Sequence, residues 1–123
     1  MPKLYNDYLI GTTRFNDKTA SENKNWRDRR EWNGCIYGVP KLICRTVPNS
    51  IQIIVIEMLN LRPGGKILGF GLITNLTKAE HIAHIYSDKT YNRYIYNSNY
   101  RVDINQIPAQ YKEVIEYLES ILF

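Results

Sequence analysis

The hydrophobic positions are densest in the middle of the chain. Residues 51–59 (IQIIVIEML) are almost all apolar or β-branched, which is typical of a central strand buried on both faces. The sequence RPGGK at 62–66 predicts a turn, because proline presets one φ angle and glycine allows a positive one. The apolar run at 67–74 (ILGFGLIT) predicts the returning strand of a hairpin. Its glycines, Gly69 and Gly71, fall on one face and indicate a bulge, a bend, or close approach by a ligand or another element.

The end of the chain has the periodicity of an amphipathic helix. Pro108 suits the first helical turn, and the following residues carry apolar side chains at helical spacing. The apolar positions that this spacing places on one face are Val114, Ile115, Leu118, Ile121 and Leu122.

The front of the chain is more polar. Residues 4–10 alternate weakly and predict a short strand, whereas residues 11–25 are rich in Thr, Asn and Asp and predict a polar loop. Residues 26–32 (WRDRREW) are helical by propensity. Short extended pieces and turns are expected over 34–50.

Two further elements follow the central hairpin. Thr77 and Glu80 have the spacing of a capping box, so the sequence predicts a helix over about 78–86. Residues 91–97 (YNRYIYN) and 100–104 (YRVDI) predict a second hairpin, turning at the NSN sequence between them.

Antiparallel strands interrupted by helices predict an α+β fold, with the sheet curled into a small, mostly antiparallel β-barrel and helices at its flanks. With 123 residues and 44% hydrophobic composition, the chain is expected to form one domain spanning residues 1–123.

The net charge of +4 is unevenly distributed. Residues 1–47 contain nine Lys and Arg against five Asp and Glu, while the last 23 residues contain two against four. The excess of positive charge at the front of the chain favours a polyanionic partner. A membrane surface is less favoured as a partner, because the sequence shows no basic amphipathic helix. Without a secretory signal, Cys35 and Cys44 are expected to be free thiols in an intracellular setting.

The sequence offers little for catalysis or metal binding. It lacks the nucleophile-elbow, P-loop and dinucleotide-binding motifs, so no catalytic residue and no cofactor are assigned. His81 and His84 are three positions apart, but Cys35 and Cys44 are spaced too widely for a usual zinc site. No metal is therefore expected.

The segment at 25–34 (NWRDRREWNG) places both tryptophans around three arginines. On a helix Trp26 and Arg30 are four positions apart, so the guanidinium can stack on the indole, whereas Trp32 lies about 240° around the axis. Either Trp26 anchors the helix and the arginines are solvated, or one indole stacks on a base with Arg27, Arg29 and Arg30 near phosphates.

The tyrosine-rich segment allows the same two interpretations. Tyr94 and Tyr96 share a strand face, which is usually core or rim packing but also suits a flipped base. Arg93 is placed to contact phosphate, and Arg101 to contact phosphate or to pair with Asp103.

Residues 51–74, together with REWNG at 30–34 and YRVDINQIP at 100–108, resemble the PUA-like superfamily, especially its EVE, YTH and ASCH members. The resemblance implies a curled barrel with a central pocket for a nucleobase, often a modified one. It assigns Trp32 and Asn33 to the upstream aromatic position and Asn60 to the residue after the first hairpin strand. The glycine–lysine–glutamate–arginine motif of ASCH domains is absent.

The sequence thus predicts an RNA- or other nucleic-acid-binding, or nucleotide-binding, domain without catalytic activity. The ligand-binding residues are predicted to be Trp32, Asn33, Asn60, Tyr94 and Tyr96, and the phosphate contacts Arg27, Arg29, Arg30 and Arg93. One alternative is a protein-interaction or structural module of viral type that uses the tyrosine-rich hairpin, with a homodimer as one form of it. A small nuclease on the same barrel is the other alternative.

Overall fold

The computed structural model describes residues 8–43, 46–61, 64–77 and 84–123. These residues form six strands and two α-helices: β1 (Tyr8–Phe15), α1 (Asp17–Arg29), β2 (Cys35–Val39), β3 (Gln52–Asn60), β4 (Gly65–Thr74), β5 (Tyr94–Ser98), β6 (Arg101–Asp103) and α2 (Lys112–Leu122). Short 3-10 turns lie at Lys89–Asn92, Ile104–Gln106 and Ala109–Tyr111.

The strands form two sheets. The larger has the order β1-β3-β4-β6, and the smaller pairs β2 with β5. Strand β1 runs parallel to β3, while the other three ladders are antiparallel. The predicted α+β class is therefore confirmed, but no closed barrel is found among the residues that the structure describes.

The central hairpin is confirmed. Strands β3 and β4 pair from Gln52 opposite Thr74 to Asn60 opposite Gly65, and Gly64 has a φ of 80°. The rest of the predicted turn, residues 62–63, lies outside the described residues. The register shifts between Glu57 and Met58, so β4 contains the bulge that its glycines indicated.

The prediction of a polar loop over 11–25 is wrong. Its first part completes β1, and most of the remainder is α1. A reciprocal capping box starts the helix, because Thr19 N–H donates to Asn16 Oδ1 at 2.8 Å and Asn16 N–H to Thr19 Oγ1 at 3.0 Å. Helix α1 buries only Asn23 and Trp26, so its apolar periodicity is too weak to read from sequence.

Two other predicted elements differ from the structure. Residues 84–86, the described end of the predicted helix over 78–86, are not helical, because the N–H groups of Ile85 and Tyr86 donate to Asn92 Oδ1 at 3.1 and 3.0 Å. The second hairpin is also wrong: β5 pairs with β2, whereas β6 pairs with β4.

The apolar side chains form two clusters on opposite faces of the larger sheet. The inner cluster lies between the two sheets and α1, and the outer one lies between the larger sheet and α2. Helix α2 is confirmed, and Ile115, Leu118 and Leu122 pack on the sheet. Val114 and Ile121, predicted on the same face, are exposed.

Candidate functional site

Trp26 anchors α1, as one of the two interpretations of the arginine-rich segment predicted. Its side chain is buried in the inner cluster, and the guanidinium carbon of Arg30 lies 4.8 Å from the centre of its ring. The predicted Trp26–Arg30 stack is therefore present. It holds the guanidinium group of Arg30 against the indole, and Arg30 is still exposed to solvent.

Trp32 is not part of α1, because the helix ends at Arg29. Glu31 N–H donates to Asp28 O and Trp32 N–H to Arg27 O, the bond pattern of a Schellman motif, with Glu31 at a φ of 51°. Trp32 Nε1 then donates to Cys35 O at 3.1 Å and the half-buried ring packs on the inner cluster. Asn33, the next residue, is exposed.

Tyr94 and Tyr96 differ in accessibility. Tyr96 is buried in the inner cluster, and its hydroxyl accepts a hydrogen bond from Ile43 N–H at 3.0 Å. Tyr94 is partly buried, with the guanidinium carbon of Arg93 at 5.3 Å from its ring. Tyr96 is thus a core residue, whereas the partly buried Tyr94 lies beside the exposed Arg93 at one end of β5.

The predicted ligand residues do not line one pocket. Tyr94 pairs with Val39 at one end of the β2–β5 ladder, whereas Trp32 is bonded to Cys35 at the other end. None of the three cavities described for this structure is lined jointly by Trp32, Asn60 and Tyr94. Their individual roles in ligand binding stay predictions, but the single aromatic pocket is not formed there.

The predicted phosphate-binding arginines are also divided. Arg29 and Arg30 are exposed at the end of α1, and Arg93 is exposed at the far end of the β2–β5 ladder. Arg27 is half-buried and its Nε donates to Asn23 Oδ1 at 2.9 Å. Burial, and secondly the charge of Arg101, lower the pKa of Arg27. Arg27 is therefore held against Asn23 of its own helix.

Arg101, Glu57 and Tyr37 form a separate, buried polar network. Glu57 is 3% exposed and accepts from Arg101 Nη2 at 2.7 Å, from Arg101 Nε at 3.0 Å and from the Tyr37 hydroxyl at 2.5 Å. The predicted pairing of Arg101 with Asp103 is present at 3.2 Å. Burial alone would lower the pKa of Arg101, but the hydrogen bonds and charge of Glu57 raise it overall. The sequence signal for this network was a lone carboxylate inside an apolar strand, which requires a cationic partner.

A cavity of about 270 Å³ lies where β1 passes into α1. It brings together one basic side chain, amide and hydroxyl groups, and two tyrosines: Arg14, Asn16, Thr19, Asn60, Tyr86 and Tyr91. We call it the α1 cavity. Of the predicted ligand residues it contains Asn60, whose Oδ1 accepts from Arg14 Nη1 at 3.1 Å.

The two tyrosines of the α1 cavity are held at fixed positions. Their ring centres are 6.3 Å apart at an interplanar angle of 76°. The Tyr86 hydroxyl accepts from Asn23 Nδ2 at 3.0 Å, and burial raises the pKa of Tyr86 to about 12. A Cβ at Gly38 would lie 2.1 Å from Tyr91 O, so only glycine lets β2 approach the Tyr91 segment.

The described residues contain no group of three or more His, Cys, Asp or Glu side chains placed to hold a metal ion. Cys35 is a buried free cysteine, and burial raises the pKa of its thiol. Cys44 and His81 lie outside the described residues. Among the helices of the described residues, none has the length and apolarity to cross a membrane.

Comparisons with protein-family models, with curated proteins and with solved structures gave no match. The structure therefore establishes the α+β class, and the resemblance to the PUA-like superfamily stays a prediction.

Proposed function

We propose that the chain is a small nucleotide-binding domain, and that the α1 cavity accepts a free nucleotide or one nucleotide of a single-stranded nucleic acid. The observation that carries the proposal is the composition of the α1 cavity. It combines two aromatic rings, a guanidinium group, two side-chain amides and the first turn of a helix within one concave site.

Each part of the cavity matches one part of a nucleotide. The start of α1 favours negative charge, and Arg14 adds a cation beside it. Arg14 donates to Asn60 and to Leu122 O, which leaves guanidinium N–H groups for a phosphate. The Tyr91 ring is exposed and offers a stacking face to a base. Asp17, in the first turn of α1, opposes an anion there.

A longer nucleic acid has further basic side chains available along α1. Lys18 and Arg29 are eleven positions apart, which places them on one face of the helix, and both are exposed. We propose that Arg29 and Arg30 contact neighbouring phosphates, and that the partly exposed ring of Trp32 beside them contacts a base. The curled barrel of a PUA-like domain belongs to this proposal and rests on the sequence resemblance.

The test compares binding of mononucleotides and of short single-stranded RNA by calorimetry and fluorescence anisotropy. Tyr91→Ala is expected to weaken both about 5- to 100-fold, the usual effect of losing one base–aromatic stack. Arg14→Gln should weaken both as well, and Asp17→Asn should strengthen both. Tyr111→Ala, at an exposed tyrosine outside the cavity lining, is the matched control and should change neither.

The arginines outside the cavity give a separate readout. Arg29→Ala combined with Arg30→Ala should make the slope of the logarithm of RNA affinity against the logarithm of salt concentration shallower, by the amount expected for the loss of about two phosphate contacts. Mononucleotide binding should be unchanged. If neither ligand binds at micromolar protein, or if Tyr91→Ala and Arg14→Gln have no effect in a folded protein, the proposal is wrong.

A further inference from the structure

Helix α2 covers only part of the outer face of the larger sheet. It packs on Ile56, Met58 and Ile67, near the turn between β3 and β4. Paired positions of neighbouring strands share a face, so Ile10, Ile54 and Leu72 lie on the same outer face, further from that turn. Ile10 is 73% exposed, which shows that this part of the face is open.

The open part of the sheet is a shallow apolar groove of about 400 Å³. Its lining includes Tyr8, Ile54, Phe70, Leu72, Tyr100 and Val102. Tyr100 is 66% exposed. The Arg101 guanidinium is held by Glu57 and so adds no free charge to the groove.

Helix α2 lies next to this groove, because Phe70 lines the groove and also packs in the outer cluster with α2. Glu119 accepts from Ile67 N–H at 2.9 Å, so the flank of α2 that carries Glu119 faces the start of β4. Successive helical residues are about 100° apart, which places Val114, Tyr117 and Ile121 on the opposite flank, toward the groove. All three are exposed. The surface therefore combines a groove and an adjacent apolar ridge.

We propose that this surface binds a second copy of the chain about a two-fold axis, with the α2 ridge of each copy in the groove of the other. In a two-fold interface, residue i contacts residue j and j contacts i, so one surface that carries both a ridge and a groove complements itself. The exposed apolar side chains of ridge and groove present an area on the order of several hundred Å², comparable with the roughly 800 Å² per partner of a standard interface.

The test is the mass of the full chain in solution, measured by light scattering and sedimentation over a range of concentrations. The expected mass is that of two chains of 14.5 kDa each. Tyr100→Lys in the groove and Tyr117→Glu on the ridge should each weaken the dimer at least tenfold without unfolding the chain, because both side chains are largely exposed. Leu61→Lys, an exposed apolar residue near the β3–β4 turn, is the control and should leave the dimer intact.

Mixing the two variants distinguishes the ridge-in-groove arrangement from any other dimer. In a mixed pair, Lys at position 100 meets Glu at position 117 on one side of the axis, and the other side keeps both native side chains. The mixture should therefore form a dimer that neither variant forms alone. A monomer at about 100 µM wild-type chain, a dimer insensitive to both substitutions, or a mixture that stays monomeric would each overturn the proposal.

Discussion

Arg101 on β6 and Glu57 on β3 are joined across β4 by a buried ion pair. Arg101 Nη2 lies 2.7 Å from Glu57 Oε1, and the two side chains are 7% and 4% exposed. Strands β3 and β6 are not neighbours in the sheet, and both pair with β4. The ion pair therefore spans the intervening strand over the glycines of β4.

Removing one partner of this pair should be strongly destabilising. Arg101→Met leaves the Glu57 carboxylate buried without its cation, which typically costs about 3–5 kcal/mol of unfolding free energy. Replacing both partners, as Arg101→Met with Glu57→Leu, should recover much of that loss, because no buried charge then remains unpaired. Urea unfolding of both single variants and the double variant measures the coupling. Additive losses would contradict the assignment of a coupled pair.

Gly71 makes room for this network. A Cβ at Gly71 would lie 2.2 Å from the Tyr37 hydroxyl oxygen and 2.9 Å from Cys35 Sγ. The hydroxyl donates a hydrogen bond to Glu57, so moving it away from a new Cβ would disturb that bond. Gly71→Ala should destabilise the protein by about 1–3 kcal/mol, as overpacking of a core does. Thermal and urea unfolding measure the loss.

The companion variant is Tyr37→Phe, which removes the oxygen that a Cβ at Gly71 would meet. In the Tyr37→Phe background, the further cost of Gly71→Ala should be smaller than in the wild-type chain, a non-additivity expected of residues in contact. An equal cost in both backgrounds would show that the contact with the Tyr37 hydroxyl does not limit the site.

The parts of the fold that the sequence predicted are those with strong local signals. The β3–β4 hairpin and α2 follow from apolar periodicity and turn residues, and both are present. Of α1, the sequence predicted only residues 26–29 as helical, and it missed 17–25 because the helix is attached through Asn23 and Trp26 rather than through an apolar stripe. The assignment of β5 and β6 to different sheets depends on pairing with residues distant along the chain, which no local pattern specifies.

The site was predicted less completely than the fold. The Trp26–Arg30 stack follows from helical spacing and is confirmed. Asn60 lines the α1 cavity, but the residues that accompany it come from positions 13–19, 38–40, 86 and 91. Their proximity arises from the parallel pairing of β1 with β3 and the packing of α1 on β2. The sequence signals a parallel pairing only weakly in so short a chain.

Glu31 is a non-glycine residue in the left-handed region, at the position after the α1 C-cap where glycine is preferred. Glu31→Gly should therefore stabilise the protein by about 0.5–1 kcal/mol, since the steric cost of a positive φ exceeds the extra entropy of glycine in the unfolded chain. Urea unfolding measures the gain. Glu31→Ala is the control: it removes the same charge but keeps a Cβ, and it should give no comparable gain. Equal gains from both variants would assign the effect to charge.

Tyr86 should make the folded state sensitive to alkaline pH. Burial raises its pKa from 10.0 to about 12, so the stabilisation is fully present below pH 10 and is lost as the pH rises toward 12. The shift corresponds to about 3 kcal/mol of unfolding free energy, since each unit of pKa difference between the folded and unfolded chain is worth about 1.4 kcal/mol. Tyr86→Phe removes the titrating group, so the variant should lose less stability than the wild type between pH 9 and pH 11.5 in urea unfolding. Tyr111→Phe, at an exposed tyrosine, is the matched control and should follow the wild-type curve. Parallel stability curves for wild type and Tyr86→Phe over this interval would contradict the prediction, because they would mean that Tyr86 ionises equally easily in the folded and unfolded chains.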